Sequence, residues 1–65
     1  MKRYVIYYMK GNFFEWVDAE FAFEQHTQAH MKAGALATEL VKYTCVKDLL
    51  YGRILAVYTE KGLVV

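Results

Sequence analysis

The sequence contains no proline, no serine and a single cysteine among its 65 residues. The absence of serine excludes every mechanism that depends on a serine nucleophile. One cysteine cannot form an internal disulfide, so the chain is not a disulfide-stabilised miniprotein. It also cannot supply the four thiolates of a structural zinc site. A lone cysteine is typical of a reducing compartment, and we therefore expect a cytoplasmic protein.

Long apolar runs are missing as well. Residues 4–9 form an apolar run of six after Lys2 and Arg3, and Lys10 ends it. A signal peptide needs a longer apolar core and a cleavage site of small residues, and a membrane span needs about 18 apolar residues. We therefore expect no targeting segment and no membrane partner.

The chain has no large excess of positive or negative charge, because it contains eight basic and seven acidic residues. The strong basic footprint of many nucleic-acid binders is therefore absent. Apolar and aromatic residues make up 57% of the chain. A domain of roughly 60 residues buries only about 60% of its unfolded surface. We expect a single small domain, residues 1–65, that is stabilised by forming a homo-oligomer.

The first third of the chain predicts a β-hairpin over residues 3–18. Two β-branched and aromatic runs flank Gly11-Asn12, a pair that tolerates the positive φ of a two-residue loop. That loop would pair Tyr7 with Trp16 and Val5 with Asp18 on one face of the hairpin. The other face would carry a second row of apolar residues, namely Tyr4, Ile6, Tyr8, Phe13 and Val17.

The middle of the chain predicts a helix over residues 19–33. Asp18 is a suitable N-cap, and Gly34 follows the last turn as a terminating residue. A stripe of alanine, histidine and phenylalanine residues recurs at helical spacing and would face the sheet. They are Ala22, Phe23, His26, Ala29, His30 and Ala33.

The last part predicts two further strands. One begins near Leu40, the other covers residues 53–59, and the tail at 62–65 could add a short edge. The predicted fold is α+β, with order ββαββ and a four-stranded antiparallel sheet carrying one helix on one face. Residues 35–42 are ambiguous between helix and strand. If the helix extends to Tyr43, three strands remain.

One helix covers one face of a sheet, so the second hairpin face would stay open. An exposed apolar patch of this kind usually marks an interaction surface. We predict a non-catalytic interaction protein of inhibitor or adaptor type, acting as a homodimer or higher oligomer. The predicted binding residues are Tyr4, Ile6, Tyr8, Lys10, Phe13 and Glu15.

Two other functions use the same features. Aromatic residues with Lys10 nearby could stack the bases of single-stranded nucleic acid, although the basic excess is missing. An aromatic pocket between subunits could sequester a small ligand or nucleotide.

Few residues indicate a catalytic or metal-binding site. His26 and His30 share a helix face at a spacing that can bind a divalent metal. A histidine pair alone is a weak motif, so two packed histidines are the favoured interpretation. Cys45 alternates with Val41 and Tyr43, which favours a buried, inert thiol. We therefore predict no catalytic residues, no metal site and no cofactor.

Overall fold

The computed structural model describes residues 2–9, 16–39 and 43–64. In chain order, the elements are β1 (Tyr4–Met9), β2 (Val17–Phe23), α1 (His26–Glu39), β3 (Tyr43–Asp48), β4 (Arg53–Thr59) and β5 (Gly62–Leu63). The strands form one antiparallel sheet in the order β2-β1-β3-β4-β5. The α+β class with one helix is confirmed. The described residues add a fifth strand to the four that were predicted.

Strand β1 lies inside the sheet and pairs with both β2 and β3. Since it is antiparallel to each, β2 and β3 run parallel to one another on its two sides. Parallel strands need a crossover connection, which is usually a helix. Helix α1 makes that crossover and packs on one face of the sheet.

The core lies between α1 and the middle of the sheet. Ile6 and Val46 meet Ala29 and Ala33, and all four side chains are fully buried. The alanines allow the helix backbone to approach the sheet closely. Thr44, also buried, donates its hydroxyl to the Ala33 carbonyl at 2.6 Å. A rim of partly buried side chains surrounds this centre, namely Tyr4, Ala19, Phe23, Leu36, Leu55 and Tyr58.

The predicted hairpin register is wrong. Tyr7 lies opposite Asp18 instead of Trp16, and Val5 lies opposite Ala22. Between these pairs β1 has one residue and β2 has three, so β2 bulges. Glu20 takes a left-handed φ of 61° in the bulge, and its N–H donates to Asp18 Oδ1 at 2.8 Å. Asp18 thus supports a strand irregularity rather than a helix start; the predicted Gly11-Asn12 loop lies outside the described residues.

The predicted helix boundaries are also wrong. Helix α1 begins at His26 instead of residue 19, because residues 17–23 extend along β1 as a strand. Gly34 does not end the helix but lies within it, beside the ring of Tyr58. Residues 35–39 are helical, which resolves part of the ambiguous segment, whereas the predicted strand start near Leu40 lies outside the described residues.

The last part of the chain agrees with the prediction. Strand β4 covers residues 53–59 as expected, and the tail forms β5 against it. Gly52 and Gly62 take positive φ values at the two turns that bound β4. Within the ranges described here, no helix combines the length and apolarity needed to cross a bilayer.

Candidate functional site: the sheet face opposite the helix

Helix α1 covers the sheet face that was predicted to be open. Ile6 is 0% exposed beneath α1, and Tyr4 packs against the same core. Tyr8 is half-buried on that face too, since its partner Thr44 points towards the helix. The assignment of faces was therefore wrong, and a fully buried Ile6 cannot contact a partner. The other predicted binding residues, Lys10, Phe13 and Glu15, lie outside the described residues.

The opposite side of the sheet, here called the open face, carries Val5, Tyr7, Cys45, Lys47 and Ile54. Side chains alternate along a strand, so these residues point away from α1. A depression of about 320 Å³ lies on this face. It is lined by Tyr7, Trp16, Cys45, Lys47, Gly52 and Ile54. No described element covers it, and Ile54 is 46% exposed.

A cation stands beside an aromatic ring on the open face. The Nζ atom of Lys47 lies 5.6 Å from the ring centroid of Tyr7, within the range of a cation–π contact. Both side chains are only partly buried. The open face thus combines aromatic surface with a positive charge.

Cys45 forms the floor of the depression but is only 1% exposed. Burial raises the pKa of its thiol to about 11. At neutral pH the sulfur therefore remains protonated, and the thiol is a poor nucleophile. This geometry supports the interpretation of Cys45 as a small buried hydrophobic residue.

The turn between β3 and β4 presents three large apolar side chains to solvent. Residues 49–51, here called the hairpin tip, are Leu49, Leu50 and Tyr51, and the last two are 63% and 67% exposed. The tip is nevertheless well ordered by hydrogen bonds. Asp48 Oδ1 accepts from the Leu50 N–H at 2.9 Å, and the Asp48 carbonyl accepts from the Gly52 N–H at 2.8 Å.

An ion pair fixes the base of the hairpin tip. Arg3 donates from Nε to Asp48 Oδ1 at 2.8 Å and from Nη2 to Oδ2 at 2.7 Å. These hydrogen bonds hold the pKa of the Asp48 carboxyl below its ordinary value. The Arg3 guanidinium also lies 5.1 Å from the Tyr4 ring centroid and 5.3 Å from that of Tyr51. No local pattern in the sequence indicates this pair, because its members are 45 residues apart.

On the helix side, four rings form a continuous row, here called the ring ladder: Tyr4, His26, His30 and Tyr58. Successive centroids are 6.0, 5.9 and 5.8 Å apart, each in an edge-to-face arrangement. His30 Nδ1 is hydrogen-bonded to the Tyr58 hydroxyl at 2.6 Å. Burial, and then the neighbouring His26, lowers the pKa of His30. Within the described ranges, no group of three or more histidine, cysteine or carboxylate side chains is arranged to hold a metal.

The open face and the hairpin tip adjoin one another, because Gly52, the residue after Tyr51, lines the depression. The ring ladder lies on the other side of the sheet, where α1 packs. The chain matches no protein-family model, no curated protein and no solved structure.

Proposed function

We propose that this chain is a non-catalytic interaction module that binds another protein through the open face and the hairpin tip. The observation that carries the proposal is a depression that no element of the described ranges covers, next to the exposed side chains of Leu50 and Tyr51. The first partner to test is a second copy of the chain, since a domain this small gains stability by covering apolar surface.

The composition of the surface supports this function. Aromatic residues are enriched in the cores of protein interfaces, and tryptophan and tyrosine are common among the residues that dominate binding energy. Tyr7 and Trp16 line the depression, and Tyr51 is exposed on the hairpin tip. Ile54 adds an aliphatic side chain to the lining of the depression, and Lys47 adds a charged one.

The rigidity of the tip also supports binding. Fixing the backbone of a flexible loop on association costs about 1–2 kcal/mol for each residue. Here the backbone of the tip is already fixed by Asp48, which accepts hydrogen bonds from Leu50 and from Arg3. The exposed side chains are thus presented on a preformed turn.

Sedimentation equilibrium of the wild type and of two lysine variants tests the proposal. Ile54→Lys places a charge in the open face, whereas Met31→Lys places the same charge on an exposed helix position, 77% accessible. We expect the wild type and Met31→Lys to assemble at micromolar concentration and Ile54→Lys to be monomeric. Both variants should keep the wild-type circular dichroism spectrum.

A monomeric wild type would exclude the second copy as the partner. Native mass spectrometry of the protein purified from its host then decides whether a different protein is bound. If neither measurement finds a protein on this surface, the proposed function is wrong. The same spectrum would reveal a small ligand that stays bound, and such a ligand would favour a protein that sequesters small molecules. The depression is large enough for this, since its volume is near the lower limit for ligand pockets.

Single-stranded nucleic acid is the second candidate partner. The contact between Lys47 and Tyr7 favours it, as does Arg53, whose guanidinium lies 5.7 Å from the Tyr51 ring centroid. Such binding combines base stacking with phosphate contacts and weakens steeply as salt rises. Fluorescence anisotropy with a labelled oligonucleotide should then show a salt-dependent affinity that Lys47→Ala reduces. Salt-independent or absent binding rejects this candidate.

A further inference from the structure

We infer that His26 and His30 form a two-histidine site for a borderline divalent cation of the zinc type. The site lies at the start of α1, on the opposite side of the sheet from the open face. It is independent of the proposed function, and neither proposal depends on the success of the other.

The separation of the two rings fits a shared metal ion. Two imidazoles on one zinc ion, with Zn–N bonds of about 2.0–2.1 Å in tetrahedral geometry, place their ring centroids roughly 5–6 Å apart. The centroids of His26 and His30 are 5.9 Å apart, and the ring planes are inclined by 86°. The spacing of four residues along the helix produces this proximity. Because the two rings are edge-to-face, one of them must turn about its side-chain torsions before both nitrogens point at one cation, while the helix backbone can stay in place.

Tyr58 orients one of the ligands. Its hydroxyl lies 2.6 Å from His30 Nδ1, which leaves Nε2 of the same ring as the nitrogen for a metal. When Nδ1 carries the proton, it donates to the Tyr58 oxygen, and Nε2 holds a lone pair. A hydrogen bond to the second ring nitrogen is the usual support of a metal-binding histidine. Tyr58 is thus a positioning residue for the site.

The accessibility of the pair also suits a cation. His26 is exposed, which gives the cation a path from solvent. The described residues provide no third ligand, so water would fill the remaining positions. We therefore expect weaker binding than at three- or four-ligand zinc sites.

The experiment is a zinc titration of the full chain, followed by thermal unfolding and by the imidazole NMR signals of both histidines. We expect a saturable rise in the melting temperature, because zinc binds the folded state preferentially. Both imidazole spectra should shift together. His26→Gln and His30→Gln should each abolish the saturable response. Tyr58→Phe should keep it with about tenfold weaker affinity.

Two controls separate this site from other causes. Cys45→Ala removes the single thiol and should leave the zinc response unchanged. Because His26 is exposed, His26→Gln should melt at the wild-type temperature without zinc, so a lost response cannot be attributed to unfolding. A wild type that does not respond to zinc, or a response that survives in both histidine variants, overturns the inference.

Discussion

The guanidinium of Arg3 and the carboxylate of Asp48 form a two-point ion pair that joins the start of β1 to the end of β3. Asp48 is 2% exposed and also accepts the Leu50 N–H, so one carboxylate organises both the pair and the hairpin tip. The stability of the fold and the shape of the candidate surface therefore depend on the same side chain.

Acid should weaken the fold through Asp48. Its pKa is lowered in the folded state, so its contribution is present above the ordinary value of 3.8 and is lost as pH falls through the folded value. Asp48→Asn should reduce stability at neutral pH and flatten the loss below pH 3.8. Urea denaturation across the acidic range measures both effects. Glu60→Gln, which changes an exposed carboxylate, should leave the profile unaltered.

Truncating Ile6 tests which face of the sheet the helix covers. Ile6→Ala removes a fully buried side chain from the core and should destabilise the protein by about 2–5 kcal/mol. Ile54→Ala, on the open face, should cost the isolated chain less than about 1 kcal/mol, because that side chain is already 46% exposed. Chemical denaturation at low protein concentration gives both values. Equal losses would contradict the assignment of faces.

Two glycines should respond to alanine with opposite signs. Gly34 has helical geometry, and a Cβ there would meet the Tyr58 ring at an ordinary contact distance of 3.8 Å. Gly34→Ala should therefore stabilise the fold by about 0.5–1 kcal/mol. Gly52 has a φ of +66°, so Gly52→Ala should destabilise it by about 1 kcal/mol despite the open space around it. Melting temperatures of the two variants provide the comparison.

The hydroxyl of Thr44 should matter more than that of Thr38, although both donate to carbonyls of α1. Thr44 is buried, and Thr44→Val would leave the Ala33 carbonyl without this donor, at a cost of about 1–3 kcal/mol. Thr38 is exposed, and water can replace its bond to the Gly34 carbonyl. Thr38→Val should therefore change stability by less than about 0.5 kcal/mol. A similar loss in both variants would argue against the buried hydrogen bond.

A strand could be predicted from the sequence where neighbouring residues indicate both the strand and the turns that bound it. Residues 53–59 are a continuous run of mostly apolar and β-forming residues between two turns, and Gly52 and Gly62 take the positive φ that turns require. The helix start could not be placed, because an acidic residue before alanine and phenylalanine fits an N-cap as well as a bulged strand. Asp18 and Glu20 form the bulge only because β1 is there to pair with β2.

The candidate surface was harder to predict than the fold. Both faces of β1 are apolar, so the pattern alone could not show which one faces α1. The choice follows from packing: Ile6 and Val46 fit beneath the alanines of the helix, while Tyr7 and Lys47 remain on the other side. Both offsets from the predicted register, two residues at Tyr7–Asp18 and four at Val5–Ala22, are even, so these β1 residues still pair with β2 residues of the predicted face.

The position of β1 inside the sheet has a consequence for the order in which the fold can form. Its second neighbour is β3, which ends at residue 48. Before β3 docks, the pair of β1 and β2 carries an unpaired edge and an apolar face without its helix, both of which favour aggregation. Completion of the sheet depends on contacts between residues far apart in sequence, which slows folding. A chain truncated before β3 is therefore expected to aggregate more readily than the chain that contains it.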